Sequence, residues 1–221
     1  MGRAAAFWHS TIGKKVVMAV TGIIGIGFLI AHVVGNLMIF RGPVALNDYS
    51  HFLHGPAAEL LWVMRVVLIL AVILHVVAAW QLTQRSHAAR PVAYARREPQ
   101  VSTIASRVMR WGGVLLLIFI VFHILHFTTG TIRPAGTFVE GDVYANVVAS
   151  FHIWWVALFY VVAMIFLGLH LYHGGWSSVR TLGATGESPN PLHRRISAAL
   201  AALIWLGFTL VPLAVFFGLV G

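Results

Sequence analysis

Residues 16–40, VVMAVTGIIGIGFLIAHVVGNLMIF, decide the fold class, because no charged side chain interrupts them and the polar groups among them are Thr21, His32 and Asn36. At about 1.5 Å of rise per residue, a helix over this run crosses a hydrocarbon core of roughly 30 Å. The run is too long for a signal-peptide core and no small-residue cleavage site follows it, so a retained helix is expected. Four more runs of the same kind lie outward from it, and the five spans are expected at about 16–39, 61–83, 111–130, 152–174 and 196–219. The expected architecture is all-α, a single membrane-anchor domain over 1–221 built from five transmembrane helices.

Composition agrees. The chain is 59% hydrophobic and 10% charged with a mean hydropathy of +0.87, so lipid is its main solvent. The acids Asp48, Glu59, Glu98, Glu140, Asp142 and Glu187 all fall between or at the ends of the apolar runs. A net charge of +9 is carried by short connections beside those runs, which is a topology signal and excludes nucleic acid as the partner. There is no cysteine, so the chain can form no disulfide, no thiolate iron–sulfur site and no covalent c-type haem link.

Direction follows from the basic residues. The N-terminal segment (Arg3, Lys14, Lys15), the second connection (Arg85, Arg90, Arg96, Arg97, Arg107, Arg110) and the fourth (Arg180, Arg194, Arg195) are expected on the cytoplasmic side. The first and third connections hold Arg41, Arg133 and most of the acids, and are expected outside. Five spans then leave the N-terminus cytoplasmic and the C-terminus outside. Trp62, Trp80, Trp111, Trp154, Trp155 and Trp176 at span ends fit an interfacial belt.

The histidines are the anomaly. His32, His75, His123, His126, His170 and His173 lie in or near hydrocarbon, where an unpartnered polar side chain is costly, and four different spans each carry at least one. Counting from the basic flanks at about 1.5 Å per residue puts His32 about 25 Å and His123 about 20 Å above the inner surface. The same count puts His75 and His170 each about 15 Å above it. Two pairs on two levels suit two iron porphyrins with imidazole on both axial positions, a closed coordination that restricts the iron to one-electron transfer. Depth does not separate His123 from His126, or His170 from His173, because each couple is three residues apart on one face. Gly22, Gly25, Gly27 and Gly35 on the first span, and Gly112 and Gly113 on the third, serve either a flat porphyrin or close helix packing.

At these residues the chain resembles the cytochrome b anchor subunits of the succinate dehydrogenase and fumarate reductase family, in their five-helix, two-haem form. The most specific pieces are STIGKKVVMAVTG (10–22), FLIAHVVGN (28–36) and GLHLYHGGWSSVRTLG (168–183), and the likeness covers nearly the whole chain. The resemblance implies that the outer haem b uses His32 and His123 and the inner haem b uses His75 and His170, with His126 and His173 as the alternates. A glutamate that some members carry two residues before the fourth-span ligand is Gly168 here, so the proton route assigned to it is not supported. The implied function is electron transfer between a cytoplasmic-side iron–sulfur subunit and membrane quinone, menaquinone or ubiquinone. The implied partners are that subunit and a flavoprotein that carries FAD and the dicarboxylate chemistry, in a bacterial cytoplasmic membrane.

A quinone needs an apolar slot and a few hydrogen-bonding groups for its carbonyls. On the inner side His9, Ser10, Thr11, Lys14 and Trp176 are the candidates; on the outer side they are Asn36, Asn47, Asp48, His51, His54 and Glu59. Plainer roles compete: Ser10 and Asp48 as helix caps, and Lys14 as a contact to propionate or lipid phosphate. Three other readings stay open, the two-haem anchor of a hydrogenase or formate dehydrogenase, a transporter with a histidine relay, and a structural scaffold with hydrogen-bonded histidines.

Overall fold

The computed structural model describes residues 2–90, 103–185 and 191–221. Among the described residues the regular structure is entirely helical. Arg96, Arg97, Glu98 and Glu187 lie outside them.

A short helix α1 (Arg3–His9) leads into α2 (Thr11–Asn36) at Ser10, whose hydroxyl donates to the Phe7 carbonyl at 2.8 Å and accepts the Gly13 N–H at 2.8 Å. Ser10 is therefore a cap, as its position suggested. A 3₁₀ turn over Leu37–Arg41 extends α2, and Gly42, at φ +93°, turns the chain into α3 (Pro43–His54). Next come α4 (Ala58–Ala88), α5 (Ile104–His123) with Thr103 as its cap, a π-helical turn over Ile124–Thr128, α6 (Val143–Phe151), α7 (Trp154–Thr181) and α8 (Pro191–Phe216). Five helical stretches are long and apolar enough to span a membrane: Thr11–Arg41, Ala58–Ala88, Ile104–Thr128, Trp154–Thr181 and Pro191–Phe216.

Helices outrun the apolar segments because hydropathy falls at the first charge whereas backbone hydrogen bonding continues through it. α7 therefore reaches Thr181, where Gly183 at φ +76° donates to the Arg180 carbonyl and Ala184 to the Val179 carbonyl. α8 stops at Phe216, ahead of the apolar run's end, because Gly218 at φ +70° forms the same reversal with Val215 and Ala214.

α2 packs against α4 and α7, α5 against α7, and α8 against α7 and α2. Along its backbone α4 approaches α2 and α3, and no comparable approach of α4 to α7, or of α2 to α5, is seen among the described residues. At the basic end Arg110 reaches His87 and Ser86 (3.1 and 3.3 Å), and Arg85 reaches the His9 carbonyl and Thr11 (2.8 and 3.3 Å). The densest core lies at the opposite end, where Ile39, Leu46, Val147, Phe151, Val156, Tyr160 and Val215 are buried beneath α3 and α6. Trp62, Trp80, Trp111, Trp154 and Trp155 are exposed, as an interfacial belt requires.

The acidic cap at this end is Asp142, whereas Asp48 lies inside α3, which begins at Pro43 after Gly42. Asp142 accepts from the Ala145 N–H and from the Asn47 amide, both at 2.9 Å, and these bonds hold its carboxyl below the ordinary value of 3.8 despite a small opposing desolvation. The stability it contributes is therefore present above pH 3.8 and lost as pH falls through the depressed value. Asp142→Ala is expected to cost about 1 kcal/mol. Thermal unfolding in detergent at neutral pH checks this, and the difference from the unsubstituted chain should vanish in strong acid.

Candidate functional site

The four helices α2, α4, α5 and α7 carry the histidines, and the structure brings them together in two pairs. His32 of α2 faces His123 of α5 with ring centroids 5.9 Å apart, and His75 of α4 faces His170 of α7 at 6.1 Å. Both pairs cross gaps between helices whose backbones do not pack on one another.

The separations have a chemical meaning. A metal ion bonded to one nitrogen of each ring sits about 2 Å from each nitrogen, and with about 1 Å from nitrogen to ring centre the centroids fall about 6 Å apart. Among the described residues no three His, Cys, Asp or Glu side chains converge in a way that could hold a metal. A metal at either pair would have two protein ligands on opposite sides and would need its remaining ligands from a prosthetic group, which is the donor set of a porphyrin iron.

The glycines divide by what a side chain would meet. A Cβ on Gly35 would lie 2.6 Å from Tyr49 Cε1, and one on Gly112 would lie 3.0 Å from Phe166 Cδ1, so these two permit close packing. A Cβ on Gly22 would come within 3.7 Å of His75 Cε1, and one on Gly113 within 4.0 Å of His170 Cε1. At Gly25, which is half-buried and seven residues below His32 on the same face, a Cβ would meet nothing within 4 Å. Gly27 also meets nothing but is exposed. Gly22 and Gly113 therefore lie against the His75 and His170 rings, and Gly25 borders open space.

The alternates are placed differently from their neighbours. The π turn after His123 carries His126 away from the pair, and its ring is buried against Phe127 at 4.0 Å. Both its nitrogens have partners, Nδ1 at 3.0 Å from the Tyr160 hydroxyl and Nε2 at 2.9 Å from Ser150 Oγ. His173 lies beside Trp176 with a buried, unpartnered Nδ1, 5.5 Å between ring centres.

The polar neighbours of the pairs include two groups that the sequence reading did not single out. Thr21 Oγ1 lies 3.0 Å from His75 Nδ1, and the Tyr160 hydroxyl lies 3.4 Å from His123 Nδ1. A hydroxyl inside an apolar run was the available signal in each case. Asn36, an outer candidate, donates to the His32 carbonyl at 2.7 Å and has its amide 3.4 Å from the ring nitrogens.

The inner quinone candidates cluster at the basic end. Ser10 is spent as a cap, Lys14 is buried with its ammonium donating to the Trp8 carbonyl and lying 4.5 Å above the Trp8 ring, and Thr11 and His9 receive Arg85. Lys14 is thus turned inward, away from lipid phosphate. Trp176 is stacked by Arg194 at 4.6 Å and lines a groove of about 330 Å³ with Ile12, Lys15, Ser177, Arg180 and Thr181. Of the outer candidates, Asn47 binds Asp142 and the Tyr144 N–H (2.9 and 3.0 Å), His54 binds Arg65 and the Ser50 carbonyl (3.2 and 2.9 Å), His51 adjoins Gly141, and Glu59 sits in the first turn of α4.

Compared with known proteins, the chain is 29% identical over 205 residues to the succinate dehydrogenase cytochrome b558 subunit of Bacillus subtilis (strain 168), covering 90% of this chain and 92% of that one. No family profile and no solved structure matches.

Proposed function

We propose, from the chain's kinship with the succinate dehydrogenase cytochrome b membrane anchors, that it is the di-haem cytochrome b anchor of a respiratory succinate:quinone oxidoreductase. The kinship extends along nearly the whole chain, and five membrane-crossing helices make it a multi-pass membrane protein. The observation that carries the finer reading is the two pairs of facing imidazoles, at 5.9 and 6.1 Å. On this reading His32 and His123 are the axial ligands of an outer haem b, and His75 and His170 those of an inner one. Each haem, when bound, supplies a one-electron redox centre with no open coordination position.

The chain's own residues do the rest. Helices α2, α4, α5 and α7 hold the four imidazoles inside the apolar spans, away from bulk water. His126, whose two nitrogens are both bonded within the chain, is left out of the ligand set, and His170 is preferred to His173 because it is the one that faces His75. The basic end is assigned to the cytoplasm, with the N-terminus inside, the C-terminus outside and the chain in a bacterial cytoplasmic membrane. There it would meet the iron–sulfur subunit, which links it to the FAD-bearing flavoprotein of the tricarboxylic acid cycle enzyme. Menaquinone or ubiquinone is assigned to the same face, near His9, Ser10, Thr11, Lys14 and Trp176. The groove beside Trp176 supports this, because Lys15, Ser177 and Thr181 there offer donors to quinone carbonyls.

A reduced-minus-oxidised visible spectrum of the purified complex tests the proposal. Two b-type haems per chain are expected, with a flavin-linked succinate dehydrogenase activity co-purifying. A chain without haem sinks the cytochrome reading, and haem that co-purifies with hydrogenase or formate dehydrogenase subunits sinks the assignment of partner.

A further inference from the structure

Each histidine pair is gripped from one side by a hydroxyl. Thr21 Oγ1 approaches the Val17 and Met18 carbonyls at 2.7 and 3.2 Å, within reach of its single proton. If that proton stays on its own helix, the oxygen facing His75 Nδ1 at 3.0 Å accepts, and Nδ1 carries the ring proton. The other nitrogen, Nε2, keeps its lone pair. Tyr160 stands in the same relation to His123. Its hydroxyl is 3.0 Å from His126 Nδ1, and His126 Nε2 is 2.9 Å from Ser150 Oγ. If His126 gives its own proton to Ser150, its Nδ1 accepts from Tyr160, and the Tyr160 oxygen then accepts from His123 Nδ1 at 3.4 Å. This order uses every proton once. Tyr160 is also held in place: it is buried, and Phe151 and Phe119 pack edge-on against its ring at 4.9 and 5.0 Å.

Among the described residues the second member of each pair has no such oxygen: His170 Nδ1 has no hydrogen-bond partner there, and the His32 ring has the Asn36 amide at 3.4 Å. Thus one imidazole per level is oriented and its opposite number is free to adjust.

We infer that Thr21 and Tyr160 are positioning residues, Thr21 setting the tautomer and orientation of His75 on the inner level and Tyr160 those of His123 on the outer level. The inference rests on the di-haem reading above. An imidazole that donates from Nδ1 is a stronger base at Nε2 and favours ferric over ferrous iron, so losing the acceptor should raise the potential of the haem concerned and weaken its retention roughly 10-fold or more.

The test uses the assembled complex and reads each haem separately, by redox titration and by the low-field EPR g value, which reports the mutual rotation of the two imidazole planes. Thr21→Val is expected to raise the midpoint potential and move the g value of the inner haem alone, and Thr21→Ser to restore both. Tyr160→Phe, which keeps the ring, is expected to do the same to the outer haem alone. In every variant the unaffected haem serves as the internal measure of folding. Unchanged signals from both haems in Thr21→Val and Tyr160→Phe, or equal changes in both haems from either one, would overturn the inference while leaving the di-haem reading intact. An unsubstituted complex without haem would overturn the di-haem reading and the inference with it.

Discussion

Replacing His75 or His170 with alanine is expected to remove one and the same haem, and replacing His32 or His123 to remove the other. The reason is geometric. Each imidazole faces one partner about 6 Å away across a gap between helices whose backbones make no comparable approach among the described residues, and His126, the neighbour of His123, is already engaged with Tyr160 and Ser150. One-sided coordination of a buried porphyrin is weak enough that the variants should retain at most about a tenth of the haem at the affected level. Haem content per chain, with each haem resolved by its redox titration, measures this. Loss of one shared haem from His32→Ala and His75→Ala would refute the pairing. His126→Ala, by contrast, should leave both haems in place, because His126 is engaged with Tyr160 and Ser150.

Gly25→Leu is expected to abolish haem binding without unfolding the bundle. A side chain there meets nothing within 4 Å of its Cβ in the protein alone, so no clash opposes folding. The room it enters lies on the histidine face of α2, four residues above Thr21 and seven below His32, and a leucine would occupy space that a porphyrin needs. Gly112→Leu gives the opposite pattern. Its Cβ would sit 3.0 Å from Phe166 Cδ1, so the substitution forces α5 away from α7 and is expected to cost about 1–3 kcal/mol of bundle stability. Comparing thermal unfolding with haem content for the two variants separates a cradle from a packing contact. Full haem content in a folded Gly25→Leu chain would remove Gly25 from the cradle.

Much of the site was legible before any coordinates, for reasons particular to lipid. Hydrocarbon makes a polar side chain expensive enough to stand out in an apolar run, so His32, His75, His123 and His170 announce themselves, and the constant rise of a helix converts their positions into two levels. Helix ends were less legible. Gly183 and Gly218, with the residue after each, close α7 and α8 through backbone hydrogen bonds to carbonyls three and five residues back, a local geometry that hydropathy does not report. The same limit explains Asp142. It caps α6 through the Ala145 N–H and takes a second bond from Asn47, ninety-five residues away in the chain, whereas Asp48, the residue that looked like a cap, falls inside α3.

By itself the sequence determined the number of helices that can cross a membrane, the level of each histidine and the absence of any cysteine ligand. These are one-dimensional properties, set by length, spacing and the cost of polar groups in lipid. Tertiary structure decided which of these neighbours lie together in space. His123 and His126 are equivalent by spacing on a regular α-helix, and a π turn breaks that equivalence by sending one ring toward His32 and the other toward Ser150. Gly25 and Gly112 are equivalent as small residues in apolar runs, and only the packing of α5 on α7 beside the open side of α2 tells them apart. Thr21 and Tyr160 acquire meaning only when helices distant in sequence bring an oxygen within reach of an imidazole nitrogen, because a hydrogen bond depends on direction and distance in three dimensions.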